Sequence, residues 1–204
     1  RKNFGKELAK ETDIEADLIV PVPDSGNAAA IGYSQYVGKN FDLGLIRNHY
    51  VGRTFIEPTQ QIRSLGVKLK HNINKSLVKN KSVILIDDSL VRGTTSVKII
   101  KMLYDAGAKE VHLRIASPPI KFPDYYGVDT PDQNELLASK LSVEEMRKSI
   151  NATTLQFLSI DGLYKSMGYE KRNPSYPQFT DHCFTGEYPV EPIDAKDLVF
   201  KNNQ

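Results

Sequence analysis

The sequence predicts an α/β domain with a mainly parallel central sheet flanked by helices, and three observations predict it. Apolar runs at residues 18–22 and 83–86 each lead into an acidic, glycine-bearing turn, and a third stretch, 111–116, resembles another buried strand. Short runs without polar alternation suit parallel strands covered on both faces. Between the second and third runs, apolar residues recur at helical spacing, and strands alternating with helices argue for a parallel sheet.

Taken in order, residues 18–22 read as a buried strand that ends in the loop Pro23, Asp24, Ser25, Gly26. Residues 26–38, with three consecutive alanines, suit a helix, and 43–46 a further strand. From Tyr50 to Asn72 the periodicity fades, and Gly, Pro, Gln, Arg and Lys dominate. An irregular stretch of that length in a compact domain is usually functional. The run 83–86 delivers Asp87 and Asp88 to a strand end, and a polar turn leads to Gly93, Thr94 and Thr95. The helix that follows places Val97, Ile100, Leu103 and Ala106 on one face, with Gly107 as its terminator. Beyond Pro118, Ser142 and Glu145 predict a capping box for a helix through Ile150, and 154–160 a strand. The tail from Asn173, with four prolines before residue 193, reads as loop-like or loosely ordered. One domain over 1–204 is expected, with its core at about 14–130 and a C-terminal extension at 131–204.

Composition excludes several classes. The 204 residues suffice to bury a core. With 27 basic against 25 acidic residues, only 63–81 is locally basic, which is not a nucleic-acid-binding face. No apolar run approaches the ~20 residues of a membrane span. One cysteine, Cys183, rules out an intramolecular disulfide framework and favours a reducing, cytoplasmic compartment. The start at Arg1 reads as an internal piece of a longer chain. His49, His71, His112 and His182 lack metal-ligand spacing; His112 is expected on a strand, the others at the surface or in loops.

The strongest chemical signal is the run from Val83 to Thr95. An apolar strand brings two adjacent carboxylates, Asp87 and Asp88, to its end. Ser89, Leu90, Val91, Arg92 and Gly93 then lead onto a helix start at Thr94 and Thr95. Free backbone N–H groups and the positive end of a helix dipole attract an anion there. The carboxylates repel a phosphate, but they suit sugar hydroxyls and a hydrated Mg²⁺. The ligand this turn describes is a sugar phosphate. A strand ending in two aspartates also occurs in receiver-type domains, and a Ser/Thr/Gly turn can be a helix cap alone.

The thirteen residues together resemble the 5-phosphoribosyl 1-pyrophosphate (PRPP) motif of type I phosphoribosyltransferases. Val22 to Gly26 is similar to that family's pyrophosphate loop. Residues 48–56, Gln60, Gln61 and the basic stretch to Asn72 resemble the flexible loop of the glutamine PRPP amidotransferase family, as do 122–129 and 183–189 their counterparts. The resemblance covers nearly all of the chain. It implies a type I phosphoribosyltransferase fold in which Asp24, Ser25, Gly26, Asp87, Asp88, Ser89, Arg92, Gly93, Thr94 and Thr95 bind PRPP. Ser25, Asp87 and Asp88 would lie near Mg²⁺. It implies displacement of pyrophosphate by ammonia, giving 5-phosphoribosylamine, in the first step of purine synthesis. It further implies a homo-oligomer and feedback inhibition by purine nucleotides.

Loss of pyrophosphate builds negative charge on the leaving group, which cations stabilise. Arg53, Arg63, Lys68 and Lys70 are the candidates, with Arg53, Lys68 and Lys70 expected to be catalytic. Ammonia is nucleophilic when neutral, so positioning and charge stabilisation suffice.

The family also carries an N-terminal glutaminase domain that releases ammonia, and the chain is expected to be the phosphoribosyltransferase half without it. Some members hold a [4Fe–4S] cluster on four cysteines. With Cys183 alone no such cluster is expected, and Cys183 is expected to be a packed thiol. Three other readings stay open: a salvage phosphoribosyltransferase acting on a nucleobase, a regulator that binds PRPP without turnover, and a truncated relic without activity. Residues 52–56 and 183–189 speak against the first, and the lack of a helix-turn-helix segment or basic face against the second.

Overall fold

The computed structural model describes residues 1–12, 14–48, 71–128, 130 and 132–190. Its first elements are α1 (Lys2–Lys10), β1 (Leu18–Pro21), α2 (Asn27–Val37), β2 (Leu45–Arg47) and β3 (His71–Ile73). A short α3 (Lys75–Val78) leads into β4 (Ser82–Asp87), α4 (Thr94–Asp105) and β5 (Glu110–Ile115). A 3-10 turn at Gln133–Glu135 precedes α5 (Leu137–Lys140), α6 (Val143–Ile150), β6 (Thr154–Phe157), α7 (Ile160–Ser166) and α8 (His182–Thr185).

β4 is the pivot of the sheet. It is buried at every position and pairs in parallel with β1 on one side and β5 on the other, with β6 beyond β5. Alternate residues of a strand face opposite layers. Ile84 and Ile86, with Ile19 of β1, pack on Leu8 and Ala9 of α1 and on Ala29, Ala30 and Tyr33 of α2. Val83 and Leu85 pack instead with Ile99, Ile100 and Leu103 of α4 and Met146 and Ile150 of α6. The helices that follow β1 and β4 therefore cover opposite faces of the sheet. Where neighbouring parallel strands send their chains to opposite sides, a crevice opens between the two loops at the carboxyl ends. The expected α/β class with a mainly parallel sheet is the architecture found.

Several local expectations are corrected. α1 has no counterpart in the sequence reading, because its third turn-mate Gly5 weakens a helical pattern. Gly5 is there because a Cβ would sit 1.8 Å from the Ala29 carbonyl oxygen, so α1 lies backbone-to-backbone on α2. The strand expected at 43–46 is β2, which pairs antiparallel with β3 outside the main sheet, so His71 and Asn72 lie in a strand. In α4 the inward face is Ser96, Ile99, Ile100 and Leu103. Val97 is 40% exposed: the apolar stripe starts one residue earlier, on a hydroxyl small enough to fit against the sheet. The strand expected over 154–160 stops at Phe157, where Ser159 accepts from the Gly162 N–H and starts α7. The capping box of Ser142 and Glu145 is present at the start of α6.

The tail is not loosely ordered over its described part. Arg172 pairs with Asp181 and with Glu187 at 2.5 and 2.6 Å, and Tyr164 donates to Asp181 at 2.8 Å. His182, expected in a loop or at the surface, is 3% exposed, and His71 is 5% exposed on β3. His182 Nε2 meets Asp124 Oδ2 at 2.8 Å, while Asp124 Oδ1 accepts from the N–H groups of Tyr126, Gly127 and Val128. Asp124, His182 and Cys183 bring ligand-type atoms within 4.8 Å of one another. The carboxylate is already spent on these partners, and burial pushes the Cys183 thiol up, keeping it neutral. The group is a clasp that ties the tail to the segment after β5.

Burial opposes ionisation of Asp124, but the Val128 and Tyr126 amides and the His182 ring outweigh it and hold the carboxyl below its ordinary 3.8. A depressed acid contributes stability above its unfolded value and loses it as pH falls through the folded one. Asp124→Ala is expected to cost about 3 kcal/mol at pH 7, because three amides and an imidazole lose their acceptor. Urea titrations at pH 7 and pH 3 check this. The difference between variant and wild type should shrink at the lower pH.

Candidate active site

The loops after β1 and β4 lie side by side because those strands are parallel neighbours, with Pro21 opposite Ile86. Val22 N–H donates to the Ile86 carbonyl at 2.7 Å, continuing the ladder one step past β1. The chain then turns back, and Gly26 N–H donates to Val22 O at 2.8 Å. A Cβ on Gly26 would stand 2.3 Å from Ile86 O and 2.9 Å from Val22 O, so only glycine lets this loop rest on the end of β4. That contact sets Ser25 Oγ to donate to Asp87 Oδ1 at 3.2 Å. Ser25, Asp87, Asp88 and Ser89 are thus brought together: Asp88 N–H donates to Asp87 Oδ1 at 2.8 Å, and Ser89 Oγ to Asp88 Oδ1 at 3.2 Å.

Asp87 is 8% exposed, and among the described residues no cation pairs with it. Burial, and next the charge of Asp88, push its carboxyl up to about 7, although the Asp88 amide and Ser25 hydroxyl pull the other way. A buried carboxylate beside a second carboxylate and a hydroxyl is an all-oxygen donor set, which fits a hard divalent cation such as Mg²⁺. Bound there, the cation would supply the missing positive charge.

Across the turn, Gly93 caps α4 in a left-handed conformation (φ 75°), and no side chain closes the helix start. The first-turn N–H groups, with the hydroxyls of exposed Thr94 and Thr95, are left for an anion. The turn from β4 to α4 therefore joins a buried, acidic strand end to an amide-rich helix start. Two of the residues expected at PRPP form ion pairs: Arg92 with Glu135 of the 3-10 turn, and Asp24 with Arg47 at the end of β2. Arg47 was not singled out in the sequence; its only signal is a cation 23 positions from Asp24, which nothing local links to it. Arg53, Arg63, Lys68 and Lys70 lie outside the described residues.

Among the described residues no helix is long and apolar enough to cross a membrane. No protein-family model matches the chain. It is 60% identical over 195 residues to an amidophosphoribosyltransferase of Rhizobium etli, covering 95% of this chain and 39% of that protein. A chloroplastic amidophosphoribosyltransferase of Arabidopsis thaliana is 52% identical, covering 96% of this chain and 34% of its own length. The solved glutamine PRPP amidotransferase of Bacillus subtilis, complexed with ADP and GMP, superposes with a TM-score of 0.82 at 51% identity, covering 93% of this chain and 42% of that one. The chain thus spans about two-fifths or less of the length of the curated relatives it matches. A likeness this close over nearly all of its residues places the chain in the amidophosphoribosyltransferase family, over its type I phosphoribosyltransferase domain.

Proposed function

We propose that the chain binds PRPP with Mg²⁺ and transfers the phosphoribosyl group to ammonia, forming 5-phosphoribosylamine and pyrophosphate in the first step of purine synthesis. The observation that carries this is the buried Asp87 carboxylate, which no cation pairs with among the described residues, at the end of the strand whose turn leads to the uncapped start of α4. In this reading the Gly93–Thr95 turn holds the 5-phosphate through its amides and hydroxyls. Asp87 and Asp88 hold the ribose hydroxyls and, with Ser25, the cation and its waters. The loop from Asp24 to Gly26 takes the pyrophosphate. The side chains hold C1 of the ribose open to attack and keep the charged leaving group fixed.

In the same reading the additional length of the relatives supplies ammonia from glutamine, and the protein works as a cytoplasmic homo-oligomer. Purine nucleotides are its feedback inhibitors, a role supported by the ADP and GMP in the B. subtilis structure. The test is pyrophosphate release from PRPP with Mg²⁺ and ammonium. The wild type should require both, and the double variant Asp87→Asn/Asp88→Asn should lose at least about 100-fold in rate with its circular dichroism unchanged. Faster release with a nucleobase than with ammonium would reassign the chain to salvage. Tight PRPP binding without release would make it a regulator.

A further inference from the structure

Asp24 sets a negative charge on the loop that would receive a pyrophosphate, and like charges there oppose binding. Arg47 answers that charge: its Nη1 donates to Asp24 Oδ2 at 2.6 Å. The two side chains are 32% and 50% exposed, a setting in which an ion pair adds little to stability. Its effect on an incoming anion is larger, because it decides whether the loop is neutral or acidic. Arg47 also ends β2, opposite His71 of β3, so the pair ties that ribbon to the loop. The Arg47 Nε is buried without a hydrogen-bond partner among the described residues, so the guanidinium is held by its Nη edge toward Asp24.

We infer that Arg47 is a positioning residue for pyrophosphate binding that acts through Asp24, cancelling its charge and holding the carboxylate aside. This rests on the phosphoribosyl-transfer reading and deepens it. The role differs from a direct cation–phosphate contact in one respect: it vanishes when the charge it cancels is removed.

The test measures PRPP KM and kcat for ammonium-dependent pyrophosphate release by the intact protein. Arg47→Gln is expected to raise KM about tenfold and to leave kcat within about threefold, with a smaller penalty as salt is added. Arg47→Lys should retain most of the affinity. Adding Asp24→Asn to Arg47→Gln should bring KM back to within about threefold of Asp24→Asn alone. If Asp24→Asn fails to rescue Arg47→Gln, Arg47 touches the substrate itself and the inference is wrong. An unchanged KM in Arg47→Gln overturns it equally. A wild type that releases no pyrophosphate defeats the transfer reading instead. In that case PRPP affinity measured by calorimetry, with Mg²⁺ and the same five proteins, decides the role of Arg47 by the same comparison.

Discussion

Asp87→Asn is expected to yield a protein that is more stable at pH 8 and inactive. The folded state holds this carboxyl at about 7 against 3.8 ordinarily. Between those values the folded chain binds more protons than the unfolded one, so stability declines as pH rises from about 4 and levels off above about 7. The shift corresponds to a ceiling of about 4 kcal/mol carried in full at pH 8. The amide of asparagine still accepts from Ser25 and from the Asp88 N–H but carries no charge. A gain of about 2–3 kcal/mol at pH 8, or roughly 5–10 °C in Tm, should follow, with almost none at pH 4. Mg²⁺ should raise the Tm of the wild type at pH 8 and leave the variant where it is. Thermal melts of both proteins at the two pH values, with and without Mg²⁺, measure all of this. Parallel pH responses would show that Asp87 is not the strained group. The loss of turnover in the same variant would mark the site as one that holds an unfavourable charge for the sake of its chemistry.

Gly26→Ala should act in the opposite sense, losing both stability and binding. The backbone at this position is unstrained (φ −76°), so the penalty is one of space alone. The added methyl would have to displace the Ile86 carbonyl, which cannot move without breaking the Val22 hydrogen bond that continues the β1–β4 ladder. Overpacking of this kind costs about 1–3 kcal/mol. The loop should lift, Ser25 should leave Asp87, and PRPP KM should rise by more than about tenfold, since small displacements at a site weaken binding steeply. Ser25→Ala separates the two effects, since it removes the 3.2 Å bond and keeps the backbone seat; its stability should stay within about 1 kcal/mol of wild type. Urea titration and steady-state kinetics on both variants suffice. A Gly26→Ala protein with wild-type midpoint and KM would mean that the loop does not depend on its contact with β4.

What the sequence revealed follows how local the physics is. The turn from Asp87 to Thr95 was readable because strand, acids, glycine and hydroxyls are consecutive, and each constrains its neighbours. The parallel sheet was readable because β1 and β4, buried at every position, have no exposed face to break their apolar runs. α1 was hidden because its defining contact, Gly5 on Ala29, is a tertiary one. The ribbon was half hidden, since three-residue strands leave too little pattern for periodicity to register. The pairs Asp24–Arg47 and Asp124–His182 join residues 23 and 58 positions apart, so only the fold reveals them. His182 was misplaced for the same reason: a polar residue in a proline-rich stretch looks solvated until its acid is found.

The ribbon has one architectural consequence. Because Arg47 stands opposite His71, the chain departs and returns at neighbouring points, about 5 Å apart across an antiparallel pair. The span between them is thus inserted into the domain like a cassette. A change in the number of residues between the two strands leaves the register of the main parallel sheet as it is, because the ribbon stands outside that sheet.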